Sequence, residues 1–238
     1  MTRSERELVG EEQRDRVRVL TLRRPPVNAL DRRLVGDLLE ALRAAKAEPE
    51  CAALVLTGTP GVFSAGIDTR EMPAYTRLQR ADMLRTVNRM MCQLYGMPKP
   101  VVAAISGHAL GGGLVLAIAC DLRLAARGAF KLGLTEAEAG IPFPAGPLAV
   151  VQGELSPDAA RLLTLTARTA TPDAPSIASI VDRIVDPAEL LDEAVREAHR
   201  LSGLPGYGQV KTQLRAPVIE RLRHIVKDDD EPLLRGWL

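Results

Sequence analysis

The most constraining stretch of the chain covers residues 99–121 and reads KPVVAAISGHALGGGLVLAIACD. Its residues 101–105 form a short, continuous apolar run rich in β-branched side chains, which is typical of a strand buried on both faces. Three consecutive glycines follow at 111–113. The run after them, residues 114–120, is apolar on every side, and a helix of that kind has to be buried. The stretch therefore predicts a buried strand, a tight glycine turn and a buried helix.

The glycine triplet at 111–113 is unfavourable at the start of a helix, because each glycine costs about 1 kcal/mol relative to alanine. One compensation is chemical: backbone N–H groups at a bare helix start suit a phosphate, or an oxygen that gains negative charge during a reaction. The other is close packing of the helix against a strand. No lysine follows the glycines and their spacing is not GxGxxG, so the usual phosphate motifs are excluded.

Strand and helix patterns alternate along the first half of the chain. Residues 16–22 (RVRVLTL) alternate like a strand, Asp31 is an N-cap candidate before a helical apolar stripe, and residues 52–57 form a second buried strand. A helix that ends at Gly96 follows. Short strands are expected at 122–126 and 129–132, then a loop-rich segment at 133–147, and beyond it helices alone. This order predicts parallel strands joined by crossover connections.

Composition narrows the class of protein. With 238 residues, of which 46% are hydrophobic, the chain can bury a sizeable core. A net charge of +1 with mixed signs predicts no nucleic-acid partner and no membrane surface. Three cysteines without a CxxC motif are typical of buried thiols in a reducing compartment. The first ten residues, MTRSERELVG, lack the apolar core of a signal peptide, so we expect a cytoplasmic protein.

Four motifs resemble those of the crotonase (enoyl-CoA hydratase/isomerase) superfamily. They are PVNAL at 26–30, FSAGID at 63–68, which follows a buried strand, SGHALGGG followed by LVLAIACD at 106–121, and GLTE at 133–136 followed by GIP at 140–142. The resemblance implies an α/β fold, a crotonase-like spiral of repeated ββα units with a helical C-terminal part. Residues 1–155 would form the spiral core with the active site, and residues 156–238 would cover the acyl pocket and mediate oligomerisation. A homotrimer or dimer of trimers is implied, as is an acyl-CoA substrate, with no separate cofactor and no metal.

The resemblance also implies the site residues. The backbone N–H groups of Ile67 and Gly112 would form an oxyanion hole for the thioester carbonyl. Glu136, in the segment GLTE four residues before Gly140, would be the catalytic base, with Glu138 as the competing candidate in the same loop. The implied substrate- and CoA-binding residues are Val27, Ala29, Ala65, Gly66, Asp68, Gly111 and Val115. Lys211 and Arg215 are weighed as phosphate contacts against plain surface charge.

One position departs from the family pattern. Hydratases of this family carry a second glutamate two residues after the glycine triplet, and this chain has Val115 there. Hydration needs an activated water and a delivered proton, whereas moving a double bond needs a single base. The sequence therefore favours an enoyl-CoA (Δ3-Δ2) isomerase. Three alternatives stay open: a hydratase with one glutamate, another single-base crotonase such as a thioester hydrolase or carbon–carbon bond enzyme, and a non-catalytic acyl-CoA-binding protein.

Overall fold

The strands of the chain alternate between two sheets, as a computed structural model of residues 8–236 shows. The strands are β1 (Val9–Arg14), β2 (Val17–Leu22), β3 (Ala53–Thr57), β4 (Gly61–Ser64), β5 (Val101–Ile105), β6 (Gly107–Leu110), β7 (Leu122–Ala126), β8 (Leu132–Gly133) and β9 (Arg183–Val185). The helices are α1 (Arg32–Ala47), α2 (Arg77–Tyr95), α3 (Gly112–Ala119), α4 (Glu136–Ala139), α5 (Ala145–Glu154), α6 (Pro157–Thr166), α7 (Leu190–Ser202), α8 (Tyr207–Asp228) and α9 (Leu233–Gly236).

Three successive ββα units build most of the architecture. The units are β3-β4-α2, β5-β6-α3 and β7-β8-α4, and each gives its first strand to one sheet and its second strand to the other. The larger sheet has the order β1-β2-β3-β5-β7-β9, and the smaller sheet has the order β4-β6-β8. All pairings are parallel except that of β1 with β2. The predicted spiral of ββα units is confirmed.

The larger sheet is buried on both faces. Because side chains alternate along a strand, Leu54 and Leu56 of β3 join the core that contains α1, α2 and α3, whereas Val55 faces the opposite side. There α7 covers the sheet with Leu190, Ala194, Ala198 and Leu201. Burial on both faces is the reason that the central strands read as continuous apolar runs rather than as alternating ones.

Several expectations about the elements are confirmed. Asp31 caps α1 by accepting a hydrogen bond from the N–H of Leu34 at 2.7 Å. Gly96 ends α2, and α3 is buried along its length. The helices expected beyond residue 147 include α6, with Ser156 as its N-cap. No helix in the described residues is both long and apolar enough to cross a membrane.

Other expectations are wrong. Residues 107–110, expected as part of a glycine turn, form strand β6, because they find parallel partners in β4 and β8, which are distant in sequence. Strands also do not stop before the helical third: β9 pairs with β7, from Leu124 opposite Arg183 to Ala126 opposite Val185. A strand of three residues is too short to show a periodicity. Within the loop-rich segment at 133–147, residues 136–139 form α4 and the last three residues begin α5.

Candidate active site

The turn after β2 is fixed against the loop that follows β4. Asn28 has a positive φ of 49° and is buried, and its amide donates to the carbonyl oxygens of Val62 and Phe63 at 3.2 Å. The Ser64 hydroxyl donates to the Asn28 carbonyl at 2.7 Å, and Ala65 N–H donates to Val27 O at 3.0 Å. Two of the predicted binding segments, 27–29 and 65–68, are thereby held side by side.

Ile67 presents its N–H to the interior of this region. It forms a parallel bridge with Leu30, in which Leu30 N–H donates to Gly66 O and Asp68 N–H donates to Leu30 O. Successive peptide groups of extended chain point to opposite sides, so the N–H of Ile67 is turned away from Leu30. Among the hydrogen bonds of residues 8–236, none is donated by this N–H.

Two structural features explain why glycines stand at 111 and 113, and the N–H of Gly112 has no acceptor in the described part of the chain. Gly111, the residue before α3, has φ +51°, which favours glycine. A side chain on Gly113 would begin 2.2 Å from Ser64 O, so the close-packing explanation is right for this position. Gly112 is the first residue of α3, so its N–H has no acceptor inside the helix. The dipole of α3 adds positive potential at this N–H.

The two free N–H groups lie close together. A side chain on Gly66 would begin 3.0 Å from the nitrogen of Gly112, and one on Gly112 would begin 3.9 Å from the nitrogen of Ile67. Backbone donors in this arrangement can hold one oxygen atom and stabilise negative charge as it develops there. The arrangement depends on backbone geometry, so the side chain at 67 only has to be apolar enough to fit its surroundings.

Glu136 lies beside these donors. A side chain on Gly111 would begin 3.3 Å from Glu136 Oε1, which places the carboxyl group against the start of α3. Glu136 Oε2 is buried and has no hydrogen-bond partner in the described structure. Burial raises the pKa of Glu136 to about 7, although a hydrogen bond from its own backbone N–H offsets part of the rise. A carboxyl group with this pKa can both accept and return a proton near neutral pH.

A narrow cavity joins the carboxyl group to the donors. Its atom-free space, part of which is open to solvent, is about 390 Å³. Its lining residues are Leu30, Ile67, Val87, Met90, Met91, Gly112, Val115, Glu136, Ile141, Pro142, Pro144 and Pro147. Glu136 is the one acid among them, and the buried Val115 lines the same cavity. The site thus combines one buried carboxyl group with an apolar wall.

The remaining predicted residues have other surroundings. Glu138 is exposed, so it does not share the environment of Glu136. Val27 is 40% exposed, whereas Ala29 is buried. The Asp68 carboxylate receives the Arg24 guanidinium at 2.7 Å and the N–H groups of Arg70 and Glu71. Burial acts to raise its pKa, but these contacts hold the pKa of Asp68 below its usual range.

The interpretation of Lys211 and Arg215 as surface charge or phosphate contacts is wrong. Both side chains are buried, at 7% and 6% exposure, and both are bound to Asp121, Lys211 at 2.8 Å and Arg215 at 3.0 Å. Arg215 also pairs with Glu154 and lies 4.1 Å from the Tyr95 ring centroid. No signal in the sequence indicates this, because the partners are distant along the chain and meet only when α8 packs on α2 and α5.

Two other networks also escaped sequence reasoning. Arg24 pairs with Asp31 and Glu71 in addition to Asp68, which ties the first turn to the loop after Ile67. Asn88 of α2 binds the buried carboxylate of Glu231, and this carboxylate accepts the N–H of Ala145 at 2.8 Å. The second network fixes the start of α5, whose residues form part of the cavity wall. In residues 8–236 no cluster of His, Cys, Asp or Glu could hold a metal ion.

The raised pKa of Glu136 predicts a stability effect that does not depend on any substrate. Between about pH 4.5 and about pH 7 the folded protein binds this proton more tightly than the unfolded chain, so stability falls as pH rises through this window. Glu136→Gln removes the effect. The free energy of unfolding of the variant minus that of the parent should therefore increase by up to about 3 kcal/mol from pH 4.5 to pH 8. Urea titrations at both pH values measure it.

Glu138→Gln is the matched control for this measurement, since Glu138 lies two residues away and is exposed. The difference in free energy of unfolding between Glu138→Gln and the parent should be the same at both pH values. A Glu136→Gln difference that is also independent of pH would mean that Glu136 titrates normally in the folded protein.

Comparisons with known proteins find relatives over most of the chain. A family model described as enoyl-CoA hydratase/isomerase matches residues 12–231. A probable enoyl-CoA hydratase of Mycobacterium leprae is 33% identical over 190 residues, which are 79% of this chain and 72% of that protein. A Mycobacterium tuberculosis protein, described as an enoyl-CoA isomerase in its apo structure and as a probable enoyl-CoA hydratase in another structure, is 28% identical. The apo structure has a TM-score of 0.82 over 91% of this chain and 95% of that one. Human mitochondrial Δ3-Δ2-enoyl-CoA isomerase is 24% identical, with a TM-score of 0.83 over 97% of this chain and 96% of that one. At this identity the similarity is one of fold.

Proposed function

The chain belongs to the enoyl-CoA hydratase/isomerase family, and from this premise we propose that it is an enoyl-CoA isomerase that moves a 3,4 double bond of a CoA thioester to the 2,3 position. One observation carries the proposal. In the described structure Glu136 is the only acid that lines the cavity at the two free N–H groups, and its Oε2 is buried without a partner. A single base in an apolar wall suits a proton shuttle.

The oxyanion hole supplies the first part of the mechanism. The N–H groups of Ile67 and Gly112 donate hydrogen bonds to the thioester oxygen. When C2 loses a proton, its electron pair moves toward that oxygen, and the two donors stabilise the enolate. They are fixed by the Leu30 bridge and by the start of α3, so no rearrangement is needed as charge develops.

Glu136 supplies the second part. Its carboxylate takes the proton from C2, the double bond moves from C3–C4 to C2–C3, and the carboxyl group returns the proton at C4. Nothing is gained or lost, so substrate and product are isomers. A pKa of about 7 makes Glu136 a stronger base than an exposed carboxylate and still leaves it largely ionised above neutral pH.

Val115 separates this proposal from the second candidate, enoyl-CoA hydration. The relative from Mycobacterium leprae is named a probable hydratase, which favours hydration. Against it, the valine side chain offers no hydrogen bond, and an ordered water needs several polar partners. Water addition also requires a base for the water and an acid for the proton, and only Glu136 is available among the residues that line the cavity.

We propose that coenzyme A enters as part of the substrate and that no separate cofactor takes part. The pantetheine chain would lie along the paired segments 27–29 and 65–68. Val27 is 40% exposed and is available to a bound nucleotide, whereas the carboxylate of Asp68 is bound to Arg24. Asp68 would then act by shaping its loop rather than by contacting the ligand.

The test of this proposal follows both reactions on the same purified protein. Isomerisation of a 3-enoyl-CoA is read from the appearance of the conjugated thioester absorbance, and hydration of a 2-enoyl-CoA from its disappearance. We expect isomerisation to be faster by at least about 100-fold, the usual contribution of one acid–base group. Comparable hydration would contradict the isomerase assignment. Tight binding without either reaction would indicate an acyl-CoA-binding protein.

We also propose a homotrimer or a dimer of trimers. Leu204, Val210 and Leu214 at and near the start of α8 are 47%, 62% and 80% exposed, and they border one groove. A clustered apolar surface of this kind favours contact with another subunit.

Light scattering at micromolar concentration should therefore give three or six times the subunit mass of 25.7 kDa. Leu214→Asp should lower that mass, because it places a charge in the contact. Leu165→Asp changes a leucine of α6 that is 74% exposed and serves as the control. A parent mass near 25.7 kDa would contradict the proposal.

A further inference from the structure

Arg80 occupies an unusual place for a charged residue. It lies on α2 with Met83, Leu84 and Val87, at the helical spacing that puts these residues on one face. That face lines a second, narrow space that is partly open to solvent, whose other walls are Ile67, Met72, Ile141 and Pro144. Apart from Arg80, all residues that line it are apolar.

The second cavity continues the first. Ile67, Val87, Ile141 and Pro144 line both. Val87 lies beside the cavity of Glu136, and Arg80 is seven residues nearer the start of α2, about 10 Å along the helix axis. An acyl chain whose thioester oxygen is held by Ile67 would run along this face, with Arg80 near its far end.

The guanidinium of Arg80 lacks a compensating charge. Its Nε is buried without a hydrogen-bond partner, and its one side-chain hydrogen bond is a long one, 3.3 Å from Nη2 to Pro73 O. Within residues 8–236 no acid pairs with it. Arg32 also has a buried Nε without a hydrogen-bond partner, but it pairs with Asp82, and Arg85 pairs with Asp229, both within 3 Å. A buried N–H of a cation without an acceptor is unfavourable.

An acidic group on the ligand would satisfy this cation. Guanidinium N–H groups form a planar fork that matches the two oxygens of a carboxylate. The apolar residues between Glu136 and Arg80 exclude water from the space between, which strengthens the attraction. A methyl-terminated chain would fill the cavity but would leave Nε without a partner.

We propose that the acyl chain of the substrate carries a carboxylate at its far end, so that the substrate is an ω-carboxy enoyl-CoA and Arg80 determines this specificity. The inference rests on the proposed function for the position of the thioester. It adds a second recognition point, distant from the reacting carbons, at which Arg80 binds the terminal carboxylate through Nε.

The experiment compares pairs of 3-enoyl-CoA substrates of equal chain length, one ending in a methyl group and one in a carboxylate, at a short, a medium and a long chain length. The proteins are the parent, Arg80→Met and Arg77→Met. Methionine keeps most of the length of the side chain and removes the charge. Arg77 lies in the first turn of the same helix, is exposed and lines neither cavity, so Arg77→Met is the matched control.

At the preferred length we expect the parent to favour the carboxylate substrate in kcat/KM. Arg80→Met should lower kcat/KM for that substrate by about 10- to 100-fold and change it for the methyl substrate by no more than about threefold. Arg77→Met should change neither. A parent without preference for the carboxylate, or an Arg80→Met loss equal for both substrates, would overturn the proposal. Thermal unfolding of each variant confirms that it is folded.

A binding measurement keeps this result separate from the proposed function. If no substrate is turned over, the isomerase proposal fails, and calorimetry with saturated acyl-CoAs then tests Arg80 alone. A dissociation constant about 10-fold lower for the ω-carboxy compound, lost in Arg80→Met, would still support the subsite. Equal dissociation constants for the two compounds would overturn it.

Discussion

Replacing Glu136 by glutamine is expected to lower the isomerisation rate by roughly two to four orders of magnitude. Glutamine keeps the shape of the side chain but cannot take a proton from C2. The oxyanion hole at Ile67 and Gly112 is made of backbone groups and stays intact, so acyl-CoA should still bind with a similar dissociation constant. Steady-state kinetics with a 3-enoyl-CoA measures the loss, and calorimetry with a non-reactive acyl-CoA measures the binding.

Glu138→Gln is the control, because Glu138 is exposed two residues away. It should keep nearly the full rate. If the loss appeared in Glu138→Gln and not in Glu136→Gln, the assignment of the base would be wrong.

The pH dependence of the parent adds a second check. Its kcat/KM should rise with pH and level off above about 7, since only the ionised Glu136 accepts a proton. A profile flat between pH 5 and pH 9 would exclude a base with this pKa.

Replacing Asp121 by alanine should destabilise the protein by about 3–5 kcal/mol, the usual effect of removing one partner from a buried ion pair. Asp121 is 9% exposed and binds both Lys211 and Arg215, so its loss leaves Arg215 with Glu154 and leaves Lys211 without an acid partner among the described residues. The variant also loses the acceptor for Val101 N–H, at 2.7 Å, at the start of β5. Urea unfolding at one protein concentration measures the change.

Asp192→Ala is the comparison, because Asp192 forms an exposed ion pair with Arg14 at 2.8 Å and is 63% exposed. Exposed pairs contribute at most about 1 kcal/mol. Asp121→Asn separates charge from hydrogen bonding, since asparagine can still accept the N–H of Val101. A change of less than about 1 kcal/mol in Asp121→Ala would mean that Lys211 and Arg215 find other partners when the acid is absent.

The sequence alone predicted the elements whose signals are local. The continuous apolar runs of β3, β5 and α3 identified buried elements, because burial on all sides removes every polar residue from a segment. Asp31 was recognised as a cap from its position before an apolar helical stripe. Elements without a local signal were missed: β9 has three residues, one of them charged, and forms because β7 offers it a free edge.

For the site, the sequence determined which groups are present, and the tertiary structure decided what each of them faces. The motifs at 63–68 and 106–121 and Glu136 were visible as residues, and the substitution by Val115 was visible too. The convergence of the Ile67 and Gly112 N–H groups and the buried Oε2 of Glu136 arise from contacts between segments far apart in the chain. So do the burial of Lys211 and Arg215 on Asp121 and the unpaired Nε of Arg80. The pKa and pairing of a charged group depend on its burial and its neighbours in space, and a sequence records only its neighbours along the chain.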